Sequence, residues 1–146
     1  SWKKKNSRKR NSMIAVELSR IIIDEKQADQ VIVLKEKQGE RQFPIVIGLV
    51  EASSIKMKLS GVDLPRPLTH DLLLSTIEGL GARLDRIVID DLIDETFLAK
   101  LVLTTREGAE TFIDARPSDS VALALRAKAP IFVEDRVFNQ AASLPQ

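Results

Sequence analysis

Residues 13–47, MIAVELSRIIIDEKQADQVIVLKEKQGERQFPIVI, decide the class of fold. Val16, Leu18 and Ile22 share one parity, with Glu17 and Ser19 on the other, the mark of a strand with one wet face. Asp24 to Gln30 is a polar turn, Val31 to Leu34 a second strand, and Gly39-Glu40 turns the chain into a third from Gln42 to Ile47. Three strands in succession before any helical pattern read as a meander.

Helical spacing begins only after Gly48. Leu49, Ala52, Ile55 and Leu59 recur at three- and four-residue intervals, with Glu51, Ser54 and Lys58 on the opposite side and Gly61 at the C-cap. A proline-rich connector (63–67) leads to a second helix, capped by Thr69, running through Leu72, Leu73, Ile77 and Leu80 and stopped by Gly81. Strands are expected over Arg83–Asp91, Phe97–Thr104 and Glu110–Ala115. Pro117 opens a third helix through Val121 and Leu125, Pro130 ends it, Ile131 to Val133 is a last strand, and the tail after Val137 is a short helix. The order βββ-αα-βββ-α-β lacks regular βα alternation. It predicts a single α+β domain, a mixed or antiparallel sheet packed with three main helices.

Composition narrows the function. Hydrophobic residues make up 44% of the 146, enough for a packed core, and the absence of cysteine excludes disulfides, thiolate nucleophiles and Cys-ligated zinc. That absence fits a reducing compartment, so a cytoplasmic location is expected. No apolar run reaches the ~20 residues of a membrane span, so no membrane partner is expected. Residues 1–12 hold six of the 22 basic residues and no acid, which leaves 16 basic against 21 acidic and a net −5 for residues 13–146. The segment 1–12 reads as a disordered basic leader or expression remnant ahead of the domain 13–146; the sharper alternative is an arm for anionic partners. Strands as apolar as Ile21–Ile23 and Val31–Leu34, with three helices to cover them, predict leftover apolar surface and a homo-oligomer.

Three polar clusters fall at element boundaries: Glu51; Arg66, Thr69, His70 and Asp71; and Asp114, Arg116, Ser118 and Asp119. Each has a bland reading. Asp71 and Asp119 suit the helix dipole, Thr69 and Ser118 are ordinary capping residues, and Arg116 and Asp119 pair across one turn. The chemical reading takes Glu51, Asp114 and Asp119 as ligands for Mg²⁺ or Mn²⁺, which prefer hard oxygen donors. Arg66 and Arg116 grip phosphate, and His70, the sole histidine, moves a proton beside Asp71. Arg66, Arg116, Arg126 and Lys128 form the basic patch for nucleic acid. No P-loop, GxGxxG, HExxH or GxSxG occurs, which removes NTPase, dinucleotide, zincin and serine-hydrolase readings.

The stretches FPIVIGLVEASSI (43–55), PRPLTHDLL (65–73), DETFLAKL (94–101) and IDARPSDSVALALRAKAPIFV (113–133) resemble the bifunctional nuclease (BFN) domain family, in matching order from about Ala15 to Val137. The resemblance implies an α+β fold, an oligomer, and nuclease activity on DNA and RNA of low sequence specificity. Departures are Ser53-Ser54 and Ser120 in place of alanines, Glu95 in place of glycine and Leu98 in place of tyrosine, none expected to touch the polar clusters. The rival reading is a non-catalytic oligomeric module that binds a protein or a small anion, with PRPLTHD as a rigid joint. A nuclease needs His70, Asp71, Asp114 and Asp119 lining one cleft; a scaffold needs them buried and hydrogen-bonded.

Overall fold

The computed structural model describes residues 12–142, so all but the last residue of the basic segment 1–12 lies outside it. Two three-stranded antiparallel meanders make the sheet. The first is β1 (Met13–Ile22), β2 (Asp29–Glu36) and β3 (Gln42–Gly48); the second is β4 (Arg83–Ile93), β5 (Thr96–Thr104) and β6 (Glu110–Ala115). The four-residue strand β7 (Ile131–Glu134) joins them, antiparallel to β1 and parallel to β4, giving the order β3-β2-β1-β7-β4-β5-β6. The α+β class and the mixed sheet follow the sequence.

The sheet is curled. Phe43 on β3 and Phe97 on β5 stack with ring centroids 5.4 Å apart, yet five strand spacings of about 4.8 Å separate their strands in a flat sheet. Curling brings the outer strands together around a core of Ile32, Leu34, Phe43, Ile87, Ile89 and Leu123. The last helix, α4 (Asp135–Ala142), sets Phe138 edge-on against Phe43 at 5.1 Å.

The other helices are α1 (Leu49–Leu59), α2 (Thr69–Gly79) and α3 (Pro117–Ala127). Both predicted glycine stops hold. Gly61 and Gly81 have φ of 68° and 85°, and the amides around them bond back to the last turn, Val62 to Met57 O and Ala82 to Ile77 O. Small residues keep α3 in the interior: Ser118, Ser120, Ala122 and Ala124 are buried beside Val121 and Leu123, and α3 packs on α1, α2 and the sheet.

Two helical faces differ from the sequence reading. On α2, Leu72, Leu73 and Leu80 are exposed, and the inner stripe is His70, Leu74 and Ile77. On α1, Leu49 and Leu59 are exposed while Ser54, placed outward by the apolar pattern, is buried. The cause is common to both. The interface between α1, α2 and α3 is partly polar, so apolar periodicity misplaces the faces that meet there. Thr69 and Ser118 do not cap either: the N-cap positions are Leu68 and Arg116, without side-chain caps of their own.

The β4–β5 turn carries strain. Ile93 pairs with Thr96, so Asp94 and Glu95 form a two-residue loop, with φ of 50° and 64°. Positive φ at both positions is the primed turn that favours glycine, and L-residues there cost on the order of 1 kcal/mol each. Replacing Glu95→Gly should therefore stabilise the domain by about 0.5–1 kcal/mol and raise Tm by ~2–4 °C. Calorimetry of the variant checks this; an unchanged or lowered Tm contradicts it.

Candidate functional site

The three polar clusters are joined at the junction of α1, α2 and α3. His70, in the first turn of α2, is buried with a side chain only 11% exposed. Its Nδ1 lies 2.7 Å from Ser54 Oγ on α1, and its Nε2 lies 2.9 Å from Asp119 Oδ1 on α3. Arg116 Nε donates to Asp119 Oδ2 at 2.9 Å, and Arg116 Nη2 donates to Glu51 Oε1, also at 2.9 Å. Beyond Ser54, Arg126 Nη2 donates to Ser54 Oγ at 3.0 Å and Arg126 Nε donates to Asp71 Oδ1 at 2.7 Å. The network thus runs Glu51, Arg116, Asp119, His70, Ser54, Arg126, Asp71.

Its ends fix the direction of every bond between them. A guanidinium only donates, so Ser54 Oγ accepts from Arg126, with a second lone pair and its own hydrogen left for His70 Nδ1. Asp119 is a carboxylate and only accepts, so Nε2 carries the hydrogen between them; in the neutral ring Nδ1 is then bare and accepts the Ser54 hydroxyl hydrogen. Both ring nitrogens are thus occupied, and the neutral ring has one tautomer that fits, with its hydrogen on Nε2.

Local structure explains why these groups meet. Asp71 sits three residues past the α2 N-cap and its Oδ2 accepts the Leu68 amide at 2.9 Å. That amide, with Arg126 and against partial burial, holds the Asp71 carboxyl below the usual carboxylate range. Asp119 first, then Glu51, raise Arg116 above its already high value. At the start of α1 a side chain on Gly48 would run into the Glu51 carboxylate, so glycine there leaves Glu51 free to reach Arg116. Ser120 Oγ donates to the Arg116 carbonyl at 2.9 Å, which fixes the first turn of α3.

Not every expected residue joins. Asp114 is on β6, its side chain 82% exposed and paired with Lys100 Nζ at 3.5 Å, outside the network. Lys128 is exposed in the left-handed conformation that ends α3. Arg66 is exposed and makes no hydrogen bond or ion pair among the described residues; it lines a pocket with Arg126 and Asp71. Among the described residues no three His, Asp or Glu side chains stand together to hold a metal. Glu51 and Asp119 are brought together, with the Arg116 guanidinium between them. The sequence reading missed Ser54 and Ser120. Their departure from the alanines of the resemblance was the available signal, and it was set aside because neither was expected to touch the clusters.

Around the network lie two openings. A cleft of about 720 Å³ occupies the seam of the curled sheet, between β3, the strained turn and the start of α3, with Arg116, Asp29 and Glu95 in its lining. The pocket beside Arg66 encloses about 320 Å³.

Fold and site together define an α+β domain whose three helices converge on a polar centre. Residues 32–145 match the profile of the bifunctional nuclease domain, and the chain belongs to that family. It is 44% identical over 124 residues to an uncharacterised protein of Mycobacterium tuberculosis, covering 85% of this chain and 73% of that one. It is 30% identical over 115 residues to Bifunctional nuclease 2 of Oryza sativa subsp. japonica and 27% identical over 109 to Bifunctional nuclease 1 of the same plant. Those matches cover 76% and 73% of this chain but only 35% and 33% of the rice proteins.

The Asp71 interactions predict a pH dependence. A carboxyl whose folded pKa is depressed contributes stability that is present above its unfolded pKa and lost as pH falls through the folded value. Asp71→Asn should cost about 1 kcal/mol at neutral pH, discounted for a partly exposed pair. The gap from wild type should close below about pH 4. Denaturant unfolding across pH checks this; a gap that stays constant into acid contradicts it.

Proposed function

We propose that this domain is a nuclease that hydrolyses phosphodiester bonds in DNA or RNA with low sequence specificity, with Asp119 as its proton acceptor. The observation that supports this reading is the convergence of the three clusters on one directed hydrogen-bond chain, in a chain of the bifunctional nuclease family. His70 is enclosed, whereas Asp119 is 29% and Arg116 66% exposed on the side-chain scale. The group facing substrate is therefore the aspartate, with the histidine behind it.

In this reading Arg116 turns from Asp119 to the phosphoryl oxygens, which its fork fits. Asp119 Oδ2, released from that bond, takes the proton of an attacking water. The water oxygen bonds to phosphorus, the bond to the leaving nucleoside oxygen breaks, and that oxygen takes a proton from solvent to leave as the alcohol. His70 Nε2–H keeps Asp119 oriented, and Ser54, itself held by Arg126, keeps the His70 ring in place through Nδ1. Mg²⁺ or Mn²⁺ commonly uses one or two carboxylates plus substrate oxygens. Glu51 and Asp119 are the pair that would hold it here, and it would add positive charge at the phosphoryl group. Asp114 has no part in this arrangement.

A second reading is favoured by a specific observation. His70 has both nitrogens spent and Arg126, 5% exposed, donates to Asp71, Ser54 and Ala122, so the network also serves as a rigid joint. Val50, Leu72 and Leu80 are exposed on the outer faces of α1 and at α2, which suits a homo-oligomeric module.

Cleavage of single-stranded DNA and RNA by the purified chain separates the two. Asp119→Asn should lower the rate on the order of 10³-fold and His70→Ala about 10²-fold, both folded by circular dichroism. Asp114→Asn should cleave as wild type does. A chelator tests the cation separately. Wild type without activity, or Asp119→Asn with full activity, overturns the nuclease reading in favour of the scaffold.

A further inference from the structure

The pocket beside Arg66 is cationic in a domain whose net charge is −5 over residues 13–146. It lies under the connector between α1 and α2, and its charged lining is Lys58, Arg66 and Arg126 against Asp63 and Asp71. Asp71 is already satisfied by Arg126 and the Leu68 amide. Lys58 and Arg66 then face Asp63, leaving one positive charge open to a ligand.

Arg66 is presented in an unusual way. Pro65 and Pro67 flank it; each fixes its own φ, and Pro67 confines Arg66 to extended backbone. At the other end of the connector the glycine-capped end of α1 is tied by Val62 N to Met57 O. The backbone that carries the arginine is therefore stiff, and its guanidinium makes no hydrogen bond or ion pair among the described residues. An unpaired guanidinium at the mouth of a walled pocket, carried on a backbone with little freedom left to lose, is arranged to take an anion with paired oxygens.

We propose that this pocket binds a phosphomonoester group. Its volume of about 320 Å³ and proline walls suit a terminal group and not a strand passing through. The choice of phosphate over another anion rests on the nuclease reading above, and the binding itself does not require catalysis. The pocket and the network share Arg126 and Asp71. A chain end anchored at Arg66 thus meets the network at its connector end, with Ser54 and His70 between it and Asp119, and the domain distinguishes phosphorylated from unphosphorylated ends.

The test is binding, at fixed ionic strength because phosphate contacts are salt-dependent. Oligonucleotides of one sequence carrying a 5′-phosphate, a 3′-phosphate or only hydroxyl ends are titrated by fluorescence anisotropy, with inorganic phosphate as competitor. The intact protein should bind one phosphorylated oligonucleotide about tenfold or more tightly than the hydroxyl form. Arg66→Gln should lose that preference, and Arg20→Gln, on exposed β1 surface, should keep it. Competition by inorganic phosphate that Arg66→Gln abolishes, without discrimination among oligonucleotides, assigns the pocket to free phosphate or a mononucleotide and supports the proposal. Equal binding of all three oligonucleotides together with no phosphate competition overturns it, as does a preference that survives in Arg66→Gln. A protein that binds phosphorylated ends but cleaves nothing sinks the nuclease reading alone, and one that cleaves while ignoring both end phosphates and free phosphate sinks this proposal alone.

Discussion

The imidazole of His70 is the constraint on which the helical layer depends. It is buried, and a buried polar ring left without partners costs on the order of 1–3 kcal/mol per unsatisfied group. Ser54 from α1 and Asp119 from α3 satisfy its two nitrogens, so three helices whose interface is partly polar are fixed in one arrangement. Arg126 adds a second tie, from α3 to Asp71 on α2 and to both the hydroxyl and the carbonyl of Ser54 on α1. A fully satisfied polar network specifies geometry more narrowly than greasy contact does. That specificity is what the proposed phosphodiester chemistry would require.

The sheet supplies the platform. Two meanders joined through β7 leave α3 crossing from β6 back to the middle of the sheet, and its N-terminus carries Arg116 and Asp119 to the site. Curling closes β3 toward β5 and leaves a cleft along the seam with Arg116 in its lining. The network is thus reached from two sides, through Arg116 at the seam and through Arg126 and Asp71 at the connector.

Much of this was legible in the chain. Alternating residues from Val16 to Ile47 marked the first meander, and Gly61, Gly81 and Pro117 marked helix ends where the structure has them. The polar clusters were visible because Arg66, His70, Asp71, Arg116 and Asp119 fall at element boundaries. What hid was the inner stripe of α2, because a histidine leads it and leucines dominate the opposite side. Ser54 hid for the same reason: a hydroxyl on an amphipathic helix reads as solvent-facing until the partner ring across the interface is known. Asp114 stands apart from the network, since its place two residues before Arg116 in sequence says nothing of β6, where pleating turns it to solvent beside Lys100.

Because His70 is the only histidine, its ring can be observed without ambiguity. A long-range ¹H–¹⁵N correlation spectrum of uniformly labelled protein at about pH 8, alkaline to an ordinary histidine, reports which nitrogen carries the hydrogen. The account predicts a single neutral tautomer, protonated at Nε2 and bare at Nδ1, that gives way to tautomer averaging in Asp119→Asn. A wild-type ring protonated at Nδ1, or one averaging between tautomers, would contradict the directed chain from Arg126 through Ser54 and His70 to Asp119.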